Sequence, residues 1–266
     1  MKRSIILLLA ASAALLLSVA SCKCSRGTET EEISTVTDSL RTAWIDTEYD
    51  KVIKHPFSVE IRLEMEYIDD DRLPKSVQDR FNANIIEACL GETYVNLPPE
   101  EAAASKCSDI EAGFLEDVIE DDGEDSITTL AEWQLSGQLS YDAPEGYLVY
   151  YISAYDYNFG AAHGYYYLAP IVLDQKTGDR IHEKDLFNDD YEPLLQELLE
   201  KHIEDAEDFD PDFLLVDAIL PNDNFDLTTE GITYYFNPYE IAPFVAGIIE
   251  ISIPWEELKP VLKQQS

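Results

Sequence analysis

The alternation of apolar and polar positions gives the first expectation. From Phe57 to Tyr67 the odd positions are Phe57, Val59, Ile61, Leu63, Met65 and Tyr67, and the even ones are Ser58, Glu60, Arg62, Glu64 and Glu66. Period two predicts a strand with one packed face and one wet face. The spacing then changes. Val77, Phe81, Ile85 and Cys89 recur at helical intervals, as do Ala103, Cys107, Ile110, Phe114 and Val118 after Pro98-Pro99. Two helices follow from this, the first ending at Gly91 and the second starting at the prolines. Alternation returns in Thr129–Tyr141 and in Tyr147–Tyr157, separated by the turn residues "DAPEG". A strand over Tyr165–Asp174, the turn "DQKTGD" and a helix carrying Leu194, Leu195, Leu198, Leu199 and His202 come next. A hairpin pairs Phe225–Thr229 with Ile232–Phe236, a last strand holds Ile249, Ile251 and Ile253, and a short helix near Pro254 closes the chain.

Strands dominate, the helices fall in two groups, and regular βαβ alternation is missing. The expected class is α+β, with antiparallel sheet packed by helices on one face. The expected organisation has four parts: a leader over 1–21, a flexible tether over 22–50 rich in Thr, Ser and Glu, an N-terminal α+β subdomain over 51–125, and a C-terminal α+β domain over 126–266.

The leader changes the setting. Lys2 and Arg3 precede an apolar run from Ile5 to Ala20, too short for a comfortable membrane span, and small residues lead into Cys22 in "VASC". This resembles the lipobox of bacterial lipoproteins. The resemblance implies a lipidated Cys22 at the mature N-terminus and a domain tethered by acyl chains in the cell envelope, facing the periplasm or the outside. Charge narrows the partners. The chain has 54 acidic and 18 basic residues, a formal net charge of −36, and −38 once Lys2 and Arg3 are removed with the leader. A phosphate backbone would be repelled, so nucleic acid is excluded as a partner, whereas a cationic protein would be attracted. The same charge also serves plain solubility. Cys89 and Cys107 are candidates for a disulfide in an oxidising compartment; two buried thiols are the alternative.

The chemistry-bearing stretch is "NFGAAHGYYY", where His163 sits between Gly160 and Gly164 with tyrosines on both sides. A catalytic His163 needs a nucleophile or a metal and a group to orient its ring. His55, His182 and His202 are the other histidines, and only His182 follows the strand leaving this loop. No His/Cys ligand spacing, nucleophile elbow or phosphate loop is present, so no catalytic residue, metal ligand or cofactor is expected. Asp208, Asp210 and Asp212 open like a calcium loop, but Phe213 stands where glycine is needed and Ile219 where the bidentate glutamate belongs. His163 is left as a turn residue hydrogen-bonded to nearby backbone. Eight of the 16 tyrosines lie between Tyr147 and Tyr167, which makes the aromatic residues the stronger clue. Tyr147, Tyr151, Tyr155 and Tyr157 share one strand face, and Tyr165 and Tyr167 share one on the neighbouring strand. Such a face is either aromatic core or a recognition platform.

Two stretches together resemble a known family. "GAAHG" at Gly160–Gly164 is similar to a Gly-Gly-Ala-His-Gly signature, followed by Asp174, Thr177-Gly178 and "DLF" at Asp185–Phe187. "FNPYEIAPFVAG" at Phe236–Gly247 resembles its second signature. Over roughly Leu130–Leu262 this looks like the domain of unknown function shared by RsiV-type anti-sigma factor ectodomains and PdaC-type peptidoglycan deacetylases. The resemblance implies binding rather than catalysis, with lysozyme or peptidoglycan as ligand classes. It nominates Gly160, His163, Gly164, Tyr165, Tyr167 and Tyr239 as binding-loop residues. The expected function is therefore a non-enzymatic, lipid-anchored envelope protein that binds a cationic protein such as lysozyme, with peptidoglycan or glycan binding as the alternative and a hydrolase using His163 with a carboxylate as the third reading.

Overall fold

The computed structural model describes residues 40–120, 129–205, 209–210 and 213–263. The leader, Cys22 and residues 22–39 of the expected tether lie outside the described residues. From Leu40 onward the chain forms one compact unit. Ten strands and five α-helices are described: β1 (Thr42–Lys54), β2 (Phe57–Ile68), α1 (Lys75–Leu90), α2 (Pro99–Glu120), β3 (Leu130–Ser140), β4 (Tyr147–Tyr157), β5 (Tyr165–Leu168), β6 (Ile171–Asp174), β7 (Arg180–Ile181), α3 (Glu183–Leu186), α4 (Glu192–His202), β8 (Phe225–Leu227), β9 (Gly231–Phe236), β10 (Ile249–Pro254) and α5 (Trp255–Leu258). The class is mixed α+β, as the pattern predicted.

Seven strands form the large sheet, in the order β1-β2-β3-β4-β6-β7, with β5 also paired to β4. All its pairs are antiparallel except β2–β3. That parallel pair follows from the two helices: α1 and α2 return the chain to the end of the sheet from which β2 began. The alternation of β2 does what its sequence dictates. Val59, Ile61, Leu63 and Met65 are fully buried and meet Phe81, Ile85 and Cys89 of α1 and Ala103, Cys107 and Phe114 of α2 in the first core. Gly91 ends α1 at φ 106°, a conformation that a side chain would strain.

The small sheet, ordered β10-β9-β8, builds a second core. Ile232, Tyr234 and Phe236 of β9 and Ile249, Ile251 and Ile253 of β10 pack with Leu195, Leu198 and Leu199 of α4. Val149 of β4 and Val172 of β6 join this core, while their neighbours Leu148, Tyr150 and Leu173 join the first. Strand alternation thus makes the β4/β6 part of the large sheet a partition between two cores.

Four expectations need correction. The tether does not extend to residue 50, because Thr42–Lys54 is an edge strand paired with β2 along its length. The boundary at 125/126 divides no independent folds, since β2 pairs with β3 across it. The strand predicted over 165–174 is broken at Ala169-Pro170: β5 pairs with the far half of β4 and β6 with its near half. Proline has no amide to donate to the ladder. Finally, Cys89 and Cys107 are free and buried, not bridged. The Cys89 thiol lies 3.8 Å from the Tyr150 hydroxyl, and burial pushes its pKa up to about 12. Among the described residues, no helix is long and apolar enough to cross a membrane.

Candidate functional site

The loop between β4 and β5 is fastened at both ends. Phe159 inserts edge-on between Phe57 (5.2 Å between ring centroids) and Phe114 (5.8 Å). Gly160 turns the chain at φ 74°, and the Tyr157 hydroxyl donates to the Ala161 carbonyl at 3.2 Å. Gly164 is needed for a different reason. Its φ is ordinary, but a Cβ there would lie 2.3 Å from the Tyr155 ring. One glycine of the signature sets the turn and the other admits an aromatic face.

His163 lies between these glycines, and its partners define its state. Nδ1 lies 2.9 Å from the Gly164 carbonyl, which can only accept, so the ring proton is on Nδ1. Nε2 then accepts from the Tyr239 hydroxyl at 3.4 Å. The ring packs 4.1 Å from the Phe244 ring, tilted by 30°. Tyr166 meets the same phenylalanine edge-on at 5.4 Å, and Tyr239 lies 5.9 Å from it. The structure therefore joins the two stretches singled out in the sequence: His163 comes from the first, Tyr239 and Phe244 from the second. Tyr239 is 54% exposed and Val245 77%, so the cluster forms a surface rather than a core.

Two asparagines hold the halves together. Asn237 imitates a strand partner, accepting from the Leu168 amide at 2.8 Å and donating to the Leu168 carbonyl at 3.2 Å. Asn224 donates to the same carbonyl at 3.1 Å and to that of Tyr235 at 2.8 Å. Glu240 accepts from the Asn237 amide at 3.0 Å, and the Tyr239 amide donates to the Ala242 carbonyl at 2.9 Å. This tight turn puts Tyr239 at φ 73°, one of two described non-glycine residues with positive φ.

Not every nominated residue belongs to the site. Tyr165 is exposed, but it pairs with Asp156 on the opposite face of the sheet. Tyr167 pairs with Ala154, packs against the first core and has a hydroxyl pKa raised by burial. The register places Tyr166, opposite Tyr155, on the face of the aromatic cluster, and its two neighbours on the other face. The tyrosine face of β4 is itself divided. Tyr147 and Tyr151 pack against the second core, where the Tyr151 hydroxyl donates to buried Asp226, while Tyr155 stays half-buried under the loop. Phe244, Val245 and Asn237 lay within the second quoted stretch but carried no periodic signal to mark them.

A separate polar knot surrounds α3. His182 Nδ1 is held by Asp223, the Glu183 amide donates to Asp223 Oδ1 at 2.9 Å, and the Asp223 amide donates to Glu183 Oε1 at 2.9 Å. The Tyr191 hydroxyl donates to Glu183 Oε2 at 3.0 Å. Burial raises the Glu183 carboxyl pKa above the usual range. Asp223 adopts φ 57° to make the reciprocal contacts. His182 is thus committed here rather than to His163. Among the described residues, neither histidine has a hydroxyl or thiol nucleophile as hydrogen-bond partner, apart from the Tyr239 phenol, and no three His, Cys, Asp or Glu side chains are grouped to hold a metal.

No curated protein matches the chain. Residues 184–256 match the family described as "Protein of unknown function (DUF3298)", a span that contains the second signature and not the first. Among solved structures, a member of that family from Bacteroides fragilis is similar with a TM-score of 0.70 and 23% identity, over 85% of this chain and 94% of the other. A DUF3298 family protein from Pseudomonas aeruginosa PAO1 is similar with a TM-score of 0.61 and 18% identity, over 85% and 95%. At these identities the likeness is one of fold. The chain therefore carries a DUF3298 match over residues 184–256, set in the fold of two solved proteins of that family.

Proposed function

We propose that this is a binding protein of the bacterial envelope, anchored by lipid at Cys22, and that its partner is a cationic protein of the lysozyme type. One observation carries the binding reading: two sequence stretches about 80 residues apart meet as a single exposed aromatic surface, with Tyr239 held out at positive φ. Aromatic rings that are half wet and rigidly mounted suit recognition. His163 supports the surface by stacking on Phe244 and takes no chemical step in this reading. The net charge of −36 and the RsiV-like signatures favour a cationic protein over a neutral glycan.

Titration of the full chain with lysozyme at low and at moderate salt tests this. Tyr239→Ala and Phe244→Ala should each weaken binding by about 2 kcal/mol, as expected for an aromatic anchor near the centre of an interface. No lysozyme binding at low salt would remove the reading. Retention on purified sacculi that survives high salt and falls with Tyr239→Ala would point instead to stacking on glycan.

A further inference from the structure

The large sheet has two unlike faces. α1 and α2 seal one face. The small sheet covers the other only over β4 and β6. Among the described residues, that second face is half-buried to exposed over most of β1, β2 and β3, with Trp44 and Val52 exposed on the edge strand, and the strand register determines which charges it presents. Asp46 stands opposite Glu64, Glu48 opposite Arg62, and Asp50 opposite Glu60; on the other side of β2, Glu60 is set beside Glu132. Six carboxylates share the open face with one guanidinium, which is paired to Glu48. A seventh, Glu66, is buried at the end of the row and accepts from the Leu139 amide.

Two ordinary explanations fall short. Charges on an edge strand prevent it from pairing with another chain, and this accounts for Asp46, Glu48 and Asp50 on β1. It does not account for Glu60, Glu64 and Glu132, because β2 and β3 have partners on both sides. Solubility needs charge, but mixed signs supply it without repulsion. Like charges directly opposite across a ladder destabilise it, and this face has three such pairs. The face is also continuous with the aromatic surface. One cross-strand row runs Glu48, Arg62, Gln134, Tyr155, Tyr166, and Phe244 packs on the last. A groove of about 240 Å³, lined by Arg62, Glu64, Gln134, Ser136, Ser153 and Tyr155, lies along this passage.

We propose that the open face of β1–β3 is the docking surface for the cationic partner, which lays lysine and arginine side chains across the carboxylates while its flank meets Tyr239 and Phe244. This rests on the binding reading above and adds where the charge acts. The carboxylates would accept charge-assisted hydrogen bonds from a partner that also relieves their mutual repulsion.

The test compares two triple variants of the full chain with equal charge change. Glu60→Gln/Glu64→Gln/Glu132→Gln neutralises interior strands of the open face and leaves the edge charges in place. Glu87→Gln/Glu101→Gln/Glu116→Gln neutralises exposed positions on α1 and α2, on the far side of the sheet. The probes are lysozyme and poly-L-lysine at low salt, with thermal melts to show that each variant is folded. The sheet-face triple should weaken lysozyme binding about tenfold or more and the helix triple less than about twofold, since contact charges count for more than remote ones. Equal losses in both triples would overturn the proposal and leave lysozyme binding standing. Poly-L-lysine binding with the same sheet-face dependence, but no lysozyme binding, would keep the surface and remove the lysozyme reading. Failure of both probes to bind the unaltered chain would remove both.

Discussion

Tyr239 holds φ at 73° with its ring more than half exposed, so the backbone is strained to present a side chain that gains little from burial. Glycine would relieve the strain and remove the ring. A left-handed non-glycine residue costs about 1–2 kcal/mol, and the flexibility of glycine in the unfolded chain returns about 0.5–1. Tyr239→Gly should therefore leave stability unchanged or raise it by up to about 1 kcal/mol in urea unfolding, while lysozyme binding falls. A loss of stability above about 1 kcal/mol would mean that the ring is structural. Glu183 gives a residue-scale prediction in pH. Burial raises its folded pKa above the unfolded value, near about 4.3, so the folded state prefers the protonated acid. Its favourable contribution is complete below the unfolded pKa and is lost as pH rises through the raised folded value. Glu183→Gln keeps an oxygen for the Asp223 amide, and its stability should fall less than that of the parent as pH rises from about 4 to 7. Identical slopes in the two proteins would assign the pH dependence elsewhere.

At the level of elements, the strongest periodicities were legible. β2, β4, α1, α4 and the β8–β9 hairpin lie within a few residues of their expected positions, because each has one unbroken apolar face. β1 was not legible. Its inner positions include Thr47 and Lys51 between Ile45, Tyr49 and Ile53, and its outer ones mix Trp44 and Val52 with Asp46, Glu48 and Asp50, so no face is cleanly apolar or polar. The tyrosine assignment needed the pairing partner: β5 and β6 keep one register against β4, with Tyr166 opposite Tyr155 and Tyr167 opposite Ala154, and successive residues of a strand point to opposite faces. That is why Tyr166 reaches Phe244 and Tyr167 enters the core. The aromatic site was legible as two motifs, but their meeting depends on Asn224 and Asn237 clamping Leu168, a long-range contact without local pattern. The acidic rows needed the register as well as the sequence. They also give a prediction in stability. Glu60 stands between Asp50 and Glu132, so Glu60→Lys exchanges two repulsions for two attractions. The melting temperature should rise, by an amount corresponding to about 0.5–1 kcal/mol. A fall would show that neighbouring groups already compensate the charges.

For the whole molecule, the same electrostatics should act with opposite sign on folding and on binding. With 54 acidic against 18 basic residues, compacting the chain brings like charges together and opposes folding. Few described ion pairs offset this, and most lie in solvent, as Arg41–Asp71 and Lys75–Asp79 do, where such pairs contribute little. Asp70 is an exception. It is buried, and Arg72, with the Arg41 amide, holds its carboxyl well below the usual range, which ties the start of β1 to the end of β2. Added salt screens exposed charges first. Going from about 0.02 M to about 0.5 M sodium chloride shortens the screening length severalfold, so self-repulsion weakens while buried contacts such as Asp70–Arg72 persist. The melting temperature at neutral pH should rise by roughly 3 °C or more, which corresponds to about 1 kcal/mol in a chain of this size. Lysozyme affinity over the same range should fall by about tenfold or more, mainly through slower association. A melting temperature that stays constant or falls would mean that the negative charge is balanced within the fold. In that case the open sheet face would hold no stored repulsion for a cationic partner to relieve.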